Sequence, residues 1–118
     1  MSTFSSLQTL QGFLQVVTDR QQMIASNMAN VDTPGYHAKD VNFQAAMRQV
    51  MQEGDGDDLR LQPAVQEVQS LPERPDGNNV NVDRESLMLS ETQLQYQLGV
   101  QLVKSELHTL YTAIKEGS

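Results

Sequence analysis

The stretch ESLMLSETQLQYQLGVQLVKSELHTLYTAI, residues 85–114, carries more apolar periodicity than one helix face can hold. One seam reads Leu89, Tyr96, Val100, Val103, Leu107, Leu110 and Ile114, with spacings that alternate between three and four after a gap at Gln93. That alternation sets the residues along one side of a helix packed against another helix. A second row, Leu87, Leu94, Leu98 and Leu102, occupies a different face. Two apolar faces require two covers. Asp83 stands just ahead of the run, where it can accept from free backbone amides, and Glu85 falls in the first turn, where the helix dipole favours an acid. The pattern predicts a helix over about 82–115. Gly99 inside it, about 1 kcal/mol worse than Ala in a helix interior, points to a close backbone approach or to simple tolerance.

One cover lies upstream. Leu7, Leu10, Leu14, Val17, Ile24, Met28 and Val31 repeat at the same spacing, with Gln21 filling the missed position. They predict a helix over about 5–30, capped by Ser5 or Ser6 and ended at Asn30. Its partners on the second helix are Tyr96, Val100, Val103, Leu107 and Leu110. Nothing else in the chain is an obvious cover for the row at Leu87, Leu94, Leu98 and Leu102, which is therefore assigned to contacts between subunits.

The middle, about 31–81, is loop-rich. VNFQAAMRQVM, residues 41–51, fits a short amphipathic helix through Phe43, Met47, Val50 and Met51. QEGDGDDL then reads as an acidic turn, and RLQPAVQEV alternates loosely like a strand that Pro63 confines to a sheet edge. SLPERPDGNNV, with Pro72, Pro75 and the Asp76-Gly77 pair, is a loop. The middle has too few large apolar residues for a core of its own. The expected fold is mainly α: an antiparallel, coiled-coil-like hairpin of long N- and C-terminal helices with an irregular insert, all in one domain over 1–118. A helix pair with an uncovered apolar face is marginal alone and gains stability when neighbours bury that face.

Composition narrows the function. With 8 Lys and Arg against 15 Asp and Glu the net charge is −7, which repels phosphate and disfavours nucleic acids and anionic membrane surfaces. No apolar run approaches the roughly 18–20 residues of a membrane span, and MSTFSSLQTL lacks the pattern of a cleaved secretion signal. Cysteine is absent, so disulfides and thiolate chemistry are excluded. His37 and His108 have no metal-ligand partners at helical spacing and are read as solvated or packed side chains. Asp55, Asp57 and Asp58 lack the later ligands of a calcium loop. No nucleophile elbow or phosphate-cradling glycine cluster is present, so neither catalysis nor a cofactor is expected.

The remaining feature is SNMANVDTPGYHAKD, residues 26–40. Asn30 suits a helix end, Pro34-Gly35 favours a type II turn, and Tyr36 can anchor that turn with its ring. Ala29-Asn30 followed by Thr33-Pro34-Gly35-Tyr36 resembles the signature that follows the N-terminal helix in axial proteins of the bacterial flagellum. HAKDVNF (37–43), DGNNVNVDRE (76–85) and ETQLQYQL (91–98) resemble the small proximal rod subunits of that family; His37 stands where a basic residue is expected. The resemblance implies a structural subunit exported through the flagellar type III apparatus and assembled in the periplasm. Its implied partners are other copies, other rod proteins, and the MS-ring and export-gate side, including the adaptor FliE. A small acidic helical adaptor or secretion chaperone is the alternative, or the second of the two small proximal rod subunits of that family.

Overall fold

The computed structural model describes residues 3–52 and 65–117. The acidic turn, Pro63 and Asp55, Asp57 and Asp58 lie outside the described residues. The elements are α1 (Thr3–Ala29), β1 (Lys39–Val41), α2 (Phe43–Gln52), β2 (Val65–Glu67) and α3 (Val82–Glu116). The fold is mainly helical, as the periodicity requires. It is a rod-like molecule of 68 × 25 × 19 Å.

α1 and α3 run antiparallel. Asn27 meets Glu85, Arg20 meets Glu91, and Phe13 and Leu14 meet Gly99. That register brings Thr3 level with about Thr109, so the last turns of α3, with Tyr111 and Ile114, extend past the first described turn of α1. Ser5 and Ser6 lie inside α1 and are not its caps. α3 is capped by Asn81, whose extended backbone lets its side chain accept from the Arg84 amide at 3.1 Å. Asp83, expected as the cap, is inside the first turn, because the chain turns helical at Val82.

The inner row of α3 differs from the row of large apolar residues. Glu85, Met88, Thr92 and Gly99 are buried, with Gln95 half-buried between them. Leu89, Val100, Val103 and Leu110 sit at the margin, half-buried, whereas Tyr96 and Leu107, expected in the hairpin interior, are exposed. The reason is the distance between the helices. A Cβ at Gly99 would stand 2.6 Å from Leu14 Cδ2 and 3.1 Å from Phe13 Cε2, so α1 lies against backbone there. A seam this close admits small and polar side chains and pushes bulky ones to its flanks.

On α1, Val17 and Ile24 are buried and Leu7, Leu10 and Leu14 are half-buried. Val16, buried at 2% exposure, faces elsewhere: it joins Val41, Ala46 and Val50, with Met23, Phe43 and Met47 packed against them. α1 thus serves two neighbours, and the insert borrows its core from that helix. Phe13 and Phe43 meet edge to face at 5.8 Å, a favoured aromatic geometry. β1 and β2 pair antiparallel, Lys39 opposite Glu67 and Val41 opposite Val65.

Gly12 marks a close approach of α1 to α2. A Cβ there would overlap Val50 Cγ1 and stand 2.9 Å from Cγ2. Val50 is β-branched and has little rotamer freedom to yield. Gly12→Ala should therefore destabilise the fold by about 1–3 kcal/mol despite the helix-propensity gain of about 1 kcal/mol. Val50→Ala added to it should recover part of the loss. Urea unfolding of the four-member set checks this; additive effects of the two changes would argue against the contact.

Candidate functional site

The corner after α1 is built from hydrogen bonds to its own backbone. The Asn30 amide donates to Ser26 and Asn27 carbonyls, and its side-chain amide donates to Ser26 O at 2.8 Å. Thr33 to Tyr36 then form the type II turn. The Tyr36 amide donates to Thr33 O at 3.2 Å, and Gly35 has φ +76°. Proline holds φ negative at the preceding position, which leaves type II as the turn that fits. Ala29, Thr33, Pro34 and Gly35 are exposed, while Tyr36 folds back half-buried.

A second loop clasps this corner. Asn78 donates its side-chain amide to both Asn30 O and Thr33 O at 2.8 Å and accepts the Val80 amide. The Gly35 amide donates to Asp76 O at 2.8 Å, and Arg74 donates to Val31 O. Asn79 accepts the Ala38 amide at 2.6 Å while its own amide donates to Tyr36 O. Gly77, at φ +85°, passes so close that a Cβ would stand 3.3 Å from Gly35 Cα. In DGNNVN, Asn78 holds the corner, Asn79 holds the strand that follows it and Asn81 caps α3. The turn is therefore a joint within one chain, fixed on both sides.

Beneath it lies Asn27, fully buried. Its amide nitrogen donates to Lys39 O at 2.7 Å and to Glu85 Oε1 at 3.0 Å. Its oxygen accepts from the Tyr36 hydroxyl and the Lys39 amide, both at 3.0 Å. Both donors and both acceptor positions are used. Glu85, also fully buried, accepts from Arg84 Nη1 at 2.9 Å through the same oxygen, and its Oε2 has no partner among the described residues. Burial pushes the Glu85 carboxyl above its usual range, against the opposing pull of Arg84 and Asn27. Arg20 pairs with Asp40 at 3.1 Å, and Arg84 Nη2 lies 3.6 Å from Asp40.

His37 bridges two acids, with Nε2 2.9 Å from Glu73 and Nδ1 3.6 Å from Glu67. Its two nitrogens face opposite sides of the ring and cannot share one ion. Among the described residues no three His, Asp or Glu side chains are placed to hold a metal.

The outward side of α3 is apolar in two strips. Leu87, Leu94, Leu98 and Leu102 form one, with Leu87 70% and Leu94 68% exposed. Tyr96, Leu107, Tyr111 and Ile114 form the other. Exposed Gln93, Gln97 and Gln101 lie on the solvent side between them. The sequence row at Leu87 to Leu102 is thus open in the single chain. Asn27, Asn78 and the inward role of Glu85 went unrecognised from sequence, since no apolar period marks them; the density of asparagine beside two helix ends was the available signal.

The corner and the helix leading to it are the region where a known family matches: flagella basal body rod proteins, over residues 7–37. The chain is 32% identical to the flagellar basal body rod protein FlgB of Salmonella typhimurium, covering 97% of this chain and 96% of that one. It is 30% identical to FlgB of Escherichia coli over the same shares, and 30% identical to FlgB of Bacillus subtilis over 99% of each. By sequence, the chain is a flagella basal body rod protein. Within that class, the chain belongs to the FlgB family.

The joint makes a graded prediction. Tyr36→Phe removes the hydroxyl's hydrogen bond to Asn27 and its longer one, 3.4 Å, with Ser26, and should cost about 1–2 kcal/mol, whereas Asn27→Ala strands the Lys39 backbone and Glu85 and should cost about 3 kcal/mol or more. Urea unfolding at fixed pH checks the order. Equal losses would show that Asn27 does not organise the joint.

Proposed function

We propose that the chain is a structural subunit of the proximal rod of the bacterial flagellar basal body, acting as one unit that polymerises by helix packing. The observation that carries this reading is the apolar strip of Leu87, Leu94, Leu98 and Leu102, open to solvent on a chain of the FlgB family. Burying a leucine side chain is worth about 1.5–3 kcal/mol. A row of them rewards a neighbour laid along α3. Contacts between unlike surfaces of successive subunits that do not close into a ring extend into a helical polymer. Load then passes through many packed contacts, and the clasped corner holds the insert at a set angle to the hairpin. The second strip, with Tyr96 and Leu107, offers another such contact.

The same reading includes assembly with other rod proteins, attachment on the MS-ring side through an adaptor such as FliE, export through the flagellar type III apparatus, and a periplasmic site of assembly. Among the described residues no helix is long and apolar enough to cross a membrane. An adaptor or chaperone would expose apolar surface for a single client in solution; sedimentation at rising concentration separates it from a polymer-forming subunit.

Leu94→Glu and Leu98→Glu place charges on the strip without touching the inner row. Each should abolish incorporation into basal bodies and motility in soft agar while leaving secretion of the subunit and its helical content unchanged. Gln97→Glu, on the polar side between the strips, should swim normally. Normal swimming of both leucine variants would overturn the assignment.

A further inference from the structure

Glu85 is the one fully buried ionisable side chain among the described residues, and burial disfavours its charged form. Both of its hydrogen bonds, from Asn27 and Arg84, go to Oε1. Oε2 is buried and receives nothing from the described residues. A carboxylate spreads its charge over both oxygens and has about four acceptor positions, so an oxygen without a donor in a dry site strongly opposes ionisation.

Arg84 pulls the other way, but its charge is divided. Arg84 lies beside Glu85 on α3 and is shared with Asp40 of β1. Asp40 also engages Arg20 of α1, and Arg20 in turn reaches Glu91 at 3.7 Å. From α1 and the corner, Asn27 and, through it, Tyr36 face Glu85 with neutral groups. Arg20 and Arg84 supply two positive charges, and Asp40 and Glu91 supply two negative ones. The cluster balances with Glu85 neutral and is one charge in excess with Glu85 ionised.

We propose that Glu85 is a proton-binding site built into the joint: the folded subunit keeps this carboxyl neutral, and loss of its proton loosens the grip of α3 on the corner. Protonation at Oε2 leaves Oε1 free to accept from Asn27 and Arg84 as observed. Deprotonation places a buried charge with one unsolvated oxygen opposite Asp40. The desolvation that raises the carboxyl's affinity for protons fixes the direction of the linkage. A carboxyl that binds its proton more tightly when folded contributes stability that is full below its unfolded value of 4.5 and fades as pH rises through the folded one. Acidity therefore tightens the subunit, where the ordinary ion-paired carboxylate would respond in the opposite sense.

The test uses the full chain. Carboxyl-carbon NMR of the folded protein should show Glu85 titrating with a midpoint above 4.5; a midpoint at or below that value overturns the proposal. Independently, the urea midpoint of the native chain should fall as pH rises above 4.5 and through the folded value of Glu85. Glu85→Gln, which copies the neutral carboxyl in shape and in its Oε1 acceptor, should flatten that slope and match or exceed the native stability at the alkaline end. Glu116→Gln, at the exposed end of α3, should leave the slope as it is. A slope retained in full by Glu85→Gln, or a loss of its stability at every pH, would mean that Glu85 acts as a charged partner of Arg84.

Discussion

Four hydrogen bonds to one buried amide hold this molecule in shape. Asn27 donates to Lys39 O and Glu85 and accepts from Tyr36 and the Lys39 amide, so α1, the corner, β1 and α3 are tied at a single point. The arrangement needs a short side chain with two donors and an acceptor; aspartate lacks the donors and glutamine is a methylene too long. Because Asn27 lies two residues before the end of α1, the chain must reverse at once to present Lys39. Pro34-Gly35 supplies that reversal, and the loop at Asp76–Val80 keeps it from relaxing by bonding Asn30, Thr33, Gly35 and Ala38.

The second constraint is distance. α1 packs against α3 at Gly99 and against α2 at Gly12, and at both places a methyl group would meet another side chain. Close approach leaves little room for leucine in the inner row of α3, where Thr92 and Gly99 sit instead. The leucines are displaced to the flanks and face outward. Polar groups are thus concentrated inside the joint while large apolar ones are spread along the outside, the reverse of what an isolated soluble domain requires. Such an inversion suits a subunit whose hydrophobic burial is completed by its neighbours.

The two constraints divide the labour along the molecule. At the corner, directional hydrogen bonds to the buried side chains of Asn27, Asn78 and Asn79 set one geometry and tolerate little deviation. Along α3, non-directional apolar contact is available over several turns and can accommodate neighbours at slightly different registers. A rod subunit needs both: a fixed shape for its own chain, and adhesive surface that works in repetition.

Periodicity by itself determined the two long helices, the short helix at Phe43–Gln52, the type II turn and the strip at Leu87, Leu94, Leu98 and Leu102, because each depends on local spacing or on one residue's backbone preference. TPGY and its flanks determined the family for the same reason, being contiguous. Which side of α3 faces inward was decided only in three dimensions. Tyr96 and Leu107 carry the stronger apolar period and yet are exposed, since the inner row is chosen by what fits where side chains of α1 such as Phe13 and Leu14 lie directly on the α3 backbone. The partnership of Asn27 with Glu85, 58 positions apart, was likewise invisible in the chain. A buried polar side chain has no periodic signature, and its partners exist only once the helices lie side by side.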